Sequence, residues 1–161
     1  MSKPLLLLDV GGVLSPYGMT PPPDFEEREI GGFWVVWTDA HASRLARLAE
    51  AFDLVWATTW EDYANRALCP ALGIDPLPVI RFVRGQSRTR KLDSIKNYVG
   101  NRPTAWIDDD LYDDAHSWAQ TRNELIPTLL VQTVPSIGFT NDHVDELIAF
   151  AIAANEDRTS T

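Results

Sequence analysis

Four separated places in the chain carry side chains suited to chemistry on a phosphate. They are Asp9, the pair Thr58-Thr59, Lys91 and the pair Asp108-Asp109. Asp9 ends the run Leu5-Leu-Leu-Leu8 and is followed at once by Val10, Gly11 and Gly12. Thr58 and Thr59 end the run Leu54-Val-Trp-Ala57, and Asp108 and Asp109 end Thr104-Ala-Trp-Ile107. A carboxylate can attack phosphorus and form an acyl phosphate, which splits a hard hydrolysis into two steps. Two or more carboxylates can hold Mg²⁺, a hard cation that takes oxygen ligands. A hydroxyl and an ammonium can hold phosphate oxygens as charge develops on them. Backbone amides at Gly11 and Gly12 can approach an anion closely, because glycine has no side chain in the way. Each residue also has an ordinary role. Asp9 can terminate a strand, Thr58 can cap a helix, Lys91 can be a solvated helix-end lysine, and Asp110, Asp113 and Asp114 can be a solvated acidic loop.

The elements that must position these groups are legible in outline. The leucine run reads as a strand buried on both faces. We expect strands over Pro4–Asp9, Leu54–Ala57, Val79–Val83, Thr104–Ile107 and Thr128–Gln132. Helices are expected over Ala40–Phe52, Trp60–Leu68, Lys91–Val99, Asp113–Thr121 and from Thr140 or Asn141 to Ala153. Thr58 and Glu61 have the spacing of a capping box, and the helix after them is expected to stop before Pro70. Ser15–Glu29 holds four prolines and reads as loop. Gly32–Thr38, aromatic and β-branched, reads as one strand of a small flap above the first strand's end. Strands alternating with helices imply an α/β, Rossmann-like three-layer sandwich with a mainly parallel sheet. In such a sheet the carboxyl ends of the strands share one edge, so the four places converge on one crevice.

Length and composition bound the rest. A chain of 161 residues fits one domain, 1–161, with a polar tail over 155–161 expected to fray. A net charge of −9 weighs against broad nucleic-acid or anionic-membrane binding. It leaves room for a local basic segment, and Arg81, Arg84, Arg88, Arg90 and Lys91 make one beside the expected crevice. The single cysteine, Cys69, excludes an internal disulfide and fits a reducing, cytoplasmic setting. No signal peptide and no membrane-spanning run is present in the sequence. Trp34, Trp37 and Trp60 are candidates for the site mouth, with core packing expected for at least one.

The order of these parts resembles the haloacid dehalogenase (HAD) superfamily. The resemblance rests on Asp9-Val-Gly-Gly-Val-Leu14, Thr58, Lys91 and Trp106-Ile-Asp-Asp109, and spans about Leu5 to Asp114. The stretches Leu54-Val-Trp-Ala-Thr-Thr-Trp60 and Asp114-Ala-His116 look like a small actinobacterial group of HAD-like proteins. Order also separates the chain from response-regulator receivers, whose acidic pair comes first and lysine last. The resemblance implies that Asp9 is the nucleophile and that Thr58 binds phosphate. It implies that Lys91 steadies both, and that Asp9, the Gly11 carbonyl and Asp108 or Asp109 hold Mg²⁺.

One departure matters. The family's phosphatases usually carry a second aspartate two residues after the nucleophile, as general acid and base; here that position is Gly11. His41, Glu61 or a flap residue are the candidates to replace it. The reading is a Mg²⁺-dependent phosphohydrolase, impaired or specialised by Gly11. The alternatives are a pseudo-phosphatase that binds metal and phosphorylated ligands, and a metal-dependent nuclease-like domain. Neither interval between motifs has room for a full cap domain. By resemblance, capless members act on macromolecules or borrow a lid from a partner subunit, so a phosphorylated, macromolecular substrate and a homo-oligomer are both compatible.

Overall fold

The computed structural model describes residues 2–159. In chain order the elements are β1 (Leu5–Leu8), β2 (Glu26–Ile30), β3 (Phe33–Trp37), α1 (Ala40–Ala51), β4 (Asp53–Trp56), α2 (Asp62–Leu72), α3 (Leu92–Val99), β5 (Thr104–Asp108), α4 (Asp113–Arg122), β6 (Thr128–Gln132) and α5 (Asn141–Thr159). The central sheet is parallel throughout, in the order β4-β1-β5-β6. Helices cover both faces, as an α/β Rossmann-like sandwich requires.

The alternation of side chains along β1 divides the core in two. Leu6 and Leu8 point into a cluster with Leu45, Leu48, Leu68 and Leu147, from α1, α2 and α5. Leu5 and Leu7 point into the opposite cluster with Leu92, Ile95, Val99 and Ala115, from α3 and α4. Both faces of the strand are therefore dry, which is why four leucines can stand in a row.

Several expected boundaries are corrected. Val79–Val83 does not form a strand; only Val79 makes a bridge, to Trp56. The chain then leaves the sheet, and Phe82 and Val83 face a cleft instead. Ser15–Glu29 is not all loop, because Glu26–Ile30 pairs antiparallel with Phe33–Trp37. The Gly31-Gly32 turn has φ of +60° and +87°, the left-handed pair that a two-residue hairpin needs. A Cβ on Gly31 would sit 2.7 Å from the Ala67 Cα, so the turn presses directly on α2. The capping box does not form, and α2 begins at Asp62 without a side-chain cap. That helix continues through Pro70 to Leu72; proline there costs one carbonyl partner one turn back while its φ stays helical. The last helix runs past Ala153 to Thr159, so 155–159 continues α5 rather than fraying, and residues 160–161 of the expected tail lie outside the described residues. No helix among the described residues is long and apolar enough to cross a membrane.

One side chain ties the β4 side together. Asn65 Oδ1 accepts from Trp56 Nε1 and from the Leu77 amide, both at 2.8 Å, and its Nδ2 donates to the Leu77 carbonyl at 2.9 Å. Asn65→Leu would strand three polar groups around a fully buried tryptophan. Each stranded group costs roughly 1–3 kcal/mol, so we expect a loss of about 3 kcal/mol or more in unfolding free energy. A shift of the urea midpoint at unchanged slope measures it.

Candidate active site

The sheet order brings the predicted groups together. β1 lies between β4 and β5, so Asp9, Ala57 and Asp108 occupy neighbouring strand ends. The Asp9 amide still bonds the Ile107 carbonyl at 3.3 Å, which carries the β1–β5 ladder up to the carboxylate itself. Lys91, one residue before α3, reaches across all three ends. Its ammonium donates to the Ala57 carbonyl at 2.9 Å and to Asp108 Oδ2 at 2.6 Å, and lies 3.1 Å from Asp9 Oδ1. An ammonium has three protons, and each has an acceptor here. Asp9 Oδ1 also accepts the Val10 amide at 2.8 Å, and Asp108 Oδ1 accepts the Asp110 amide at 3.0 Å. Neither carboxylate is free to swing away.

The cluster is short of positive charge. Burial pushes the Asp9 carboxyl up to about 7; Lys91 pulls it down and Asp108 pushes it further up. Burial also works against the charge on Lys91, but Asp9 and Asp108 outweigh it and hold the ammonium above its ordinary range. A third carboxylate, Asp109, is close by: ligand oxygens of Asp9, Asp108 and Asp109 all lie within 4.8 Å of one another. An all-oxygen set around a charge deficit fits a hard divalent cation such as Mg²⁺. The Gly12 backbone makes room for Asp109: with φ +76°, a Cβ there would fall 2.4 Å from the Asp109 Cγ.

Not every candidate falls where the sequence implied. The Gly12 amide is not free for an anion, because it donates to the Ser15 carbonyl at 2.9 Å inside the tight turn Val10–Ser15. The Gly11 amide takes no part in that turn's bonds. Thr58 is buried, and its Oγ1 accepts the Trp60 amide at 3.2 Å. Thr59, exposed, lines the cleft with Lys91 and Asp110. His41 is a core residue rather than an acid/base: its Nε2 lies 2.7 Å from the Leu14 carbonyl and its ring packs edge-on against Trp37 at 5.1 Å. Burial drives its pKa down to about 4. Glu61 adopts φ +48°, a strained conformation for a residue with a side chain. Its Oε2 accepts the Phe82 amide at 3.3 Å, beside the cleft. Trp37 is core, Trp60 packs on Phe33 at 5.1 Å, and Trp34 is exposed.

Two contributors escape a sequence reading. Tyr17 donates its hydroxyl to Asp109 Oδ2 at 2.7 Å, and that bond pushes the phenol up to about 12, so it stays a donor. Asp114 accepts from Thr89 Oγ1 at 2.5 Å and from the Thr89 amide at 3.1 Å, while Thr89 Oγ1 accepts the Tyr112 amide at 3.0 Å. That clamp fixes the turn leading into Lys91 against the start of α4. Nothing in the local pattern points to contacts made across 92 and 25 residues of chain.

Beside Lys91 opens a cleft of about 610 Å³, lined by Thr59, Phe82, Val83, Arg84, Gly85, Ser87, Arg90, Lys91 and Asp110. Comparison with known proteins gives the family. Residues 5–144 match the family model described as "HAD domain in Swiss Army Knife RNA repair proteins". Searches of curated proteins and of solved structures returned no match. That span includes all four motifs and the strand ends that Lys91 joins. The chain belongs to the HAD superfamily, in the family of HAD domains described for Swiss Army Knife RNA repair proteins.

Proposed function

We propose that the protein is a capless, Mg²⁺-dependent phosphohydrolase that works through a phosphoryl group carried on Asp9. The observation that carries this reading is the Lys91 ammonium held between Asp9 and Asp108, with Asp109 beside them. Lys91 and Val10 both engage Asp9 Oδ1, which leaves Oδ2 for attack. Attack forms an O–P bond to Asp9 and breaks the bond to the leaving oxygen, which takes a proton from solvent water. Water then attacks the acyl phosphate, releases inorganic phosphate and restores the carboxylate. Asp9, Asp108, Asp109 and the Gly11 carbonyl are the groups that would hold Mg²⁺, which supplies charge to offset repulsion between carboxylate and phosphate. Lys91 keeps Asp9 fixed and offsets its charge as it turns over. Thr58, Thr59 and the Gly11 amide are the groups for the phosphate oxygens.

The family's description speaks of RNA repair proteins, and a phosphohydrolase in that setting would act on a phosphorylated RNA end. The net charge of −9 disfavours binding along a nucleic acid, but an end-directed enzyme needs only a local cationic patch. Gly11 sustains the second reading, a protein that binds such ends with little turnover, because no side chain at position 11 can serve as acid. Hydrolysis of an aryl phosphate with Mg²⁺ separates them. Turnover by the wild type that Asp9→Asn reduces to the buffer rate is the expected result. Turnover that survives Asp9→Asn overturns the covalent route, and an inert wild type favours the binding protein.

A further inference from the structure

The cleft beside Lys91 holds more than one phosphate needs. Lys91 is committed to Ala57, Asp9 and Asp108. Arg84 and Arg90 also line the cleft, are exposed, and have no hydrogen-bonding or ionic partner among the described residues. Neighbouring arginines are occupied: Arg81 pairs with Asp62 at 2.9 Å, and the Arg88 guanidinium lies 4.6 Å from the Tyr112 ring centre. Two exposed guanidiniums without a protein partner line a cleft whose lining includes a single carboxylate, Asp110, within a protein whose net charge is −9, and they are suited to an anion. The planar fork of arginine matches phosphate oxygens in pairs.

The loop that presents Arg84 is held in place. The Val83 amide donates to Ser94 Oγ at 3.1 Å, Ser87 Oγ donates to Asp93 Oδ1 at 2.7 Å, and the Gln86 amide donates to Asp93 Oδ2 at 3.2 Å. Phe82 and Val83 add apolar surface to the same wall. A volume of about 610 Å³ is in the usual range for a small-ligand site. It exceeds what a lone phosphate fills.

From this we infer that Arg84 and Arg90 form a subsite for a second phosphate, the phosphodiester that follows the reacting terminal phosphate of an RNA end. The base of that nucleotide rests on Phe82 and Val83. The inference rests on the phosphohydrolase reading for the identity of the reacting group and adds the specificity that reading lacks. The surrounding negative charge opposes further length of polyanion, so the preference is for the first phosphodiester only.

The test is binding in the Asp9→Asn background with Mg²⁺. Ligands are uridine diribonucleotides phosphorylated at the 5′ or the 3′ end, against the matching uridine monophosphates. We expect at least one dinucleotide to bind about tenfold tighter than its monophosphate, as charge-assisted bonds of this kind allow. Arg84→Ala or Arg90→Ala is expected to remove that ratio, whereas Arg47→Ala, far from the cleft and paired with Asp145, keeps it. Equal affinities, or a ratio that survives both cleft variants, overturn the subsite. A preserved ratio beside a wild type that hydrolyses no phosphate ester overturns the catalytic reading and leaves the subsite standing.

Discussion

Replacing Gly11 with aspartate is expected to raise the hydrolysis of an alkyl phosphate monoester by about 10²–10⁴-fold, the usual contribution of a positioned general acid. The backbone permits the change. Gly11 is not among the residues with positive φ, and a Cβ there meets nothing within 4 Å. The next residue offers no such freedom, since a side chain on Gly12 would strike Asp109. The gain is expected to depend on the leaving group. An alkoxide needs a proton as it departs, whereas a nitrophenolate hardly does, so the aryl ester should gain far less. Initial rates on the two esters, for wild type and variant, check this. Equal gains mean that the new carboxylate acts by charge or metal binding rather than as an acid. No gain on either ester means that another group already supplies the proton.

Lys91→Met is expected to be the most damaging single change in the site. Methionine keeps the stem but removes the ammonium from between Asp9 and Asp108. Breaking a buried ion pair by deleting one partner typically costs about 3–5 kcal/mol, because the remaining charge is left buried and unpaired. Two carboxylates are left here, and the Ala57 carbonyl loses its donor as well. Thermal unfolding should show a large drop without metal and a partial recovery in saturating Mg²⁺, because a cation bound only by the folded form stabilises it by mass action. Recovery by Mg²⁺ but not by equal ionic strength of NaCl marks a specific site; equal recovery by both would refute it. Turnover should remain lost in either case, since Asp9 no longer has its fixed partner.

The parts of the fold that could be read in advance are those where a local pattern and a global need agree. The leucines of β1 require dry surroundings on both faces, and only a central parallel strand provides them. The carboxyl ends of β1, β4 and β5 could then be placed on one edge of the sheet, and with them Asp9, Asp108 and Lys91, while their adjacency comes from the sheet order. The unreadable parts are those where a distant contact overrules the local pattern. Glu26–Ile30 is too charged to look like a strand, and it becomes one because Phe33–Trp37 offers a partner; the Ile30-Gly-Gly-Phe33 turn was the available signal. Val79–Val83 has the composition of a strand, yet the Glu61 carboxylate takes the Phe82 amide and Ser94 takes the Val83 amide, so the ladder cannot continue. His41 looked like a catalytic candidate because imidazole has the right chemistry, but the Leu14 carbonyl and a ring of aromatics claim it for the core. Tyr17 carries no local signal because it lies in a proline-rich loop whose course is set by contacts such as its amide's bond to the Pro135 carbonyl.

The single bridge at Val79 has a consequence for how molecules of this protein meet one another. β4 is an outer strand of the sheet, and a bare outer strand is a template on which a second chain can pair. Here the Trp56 amide donates to the Pro78 carbonyl and the Trp56 carbonyl accepts the Ile80 amide, so the outward-facing groups at the end of β4 are satisfied within the chain. The covering segment contains Pro76 and Pro78, which have no N–H to offer. At that end of β4 the chain occupies the positions a second strand would need, so pairing with another molecule is blocked there.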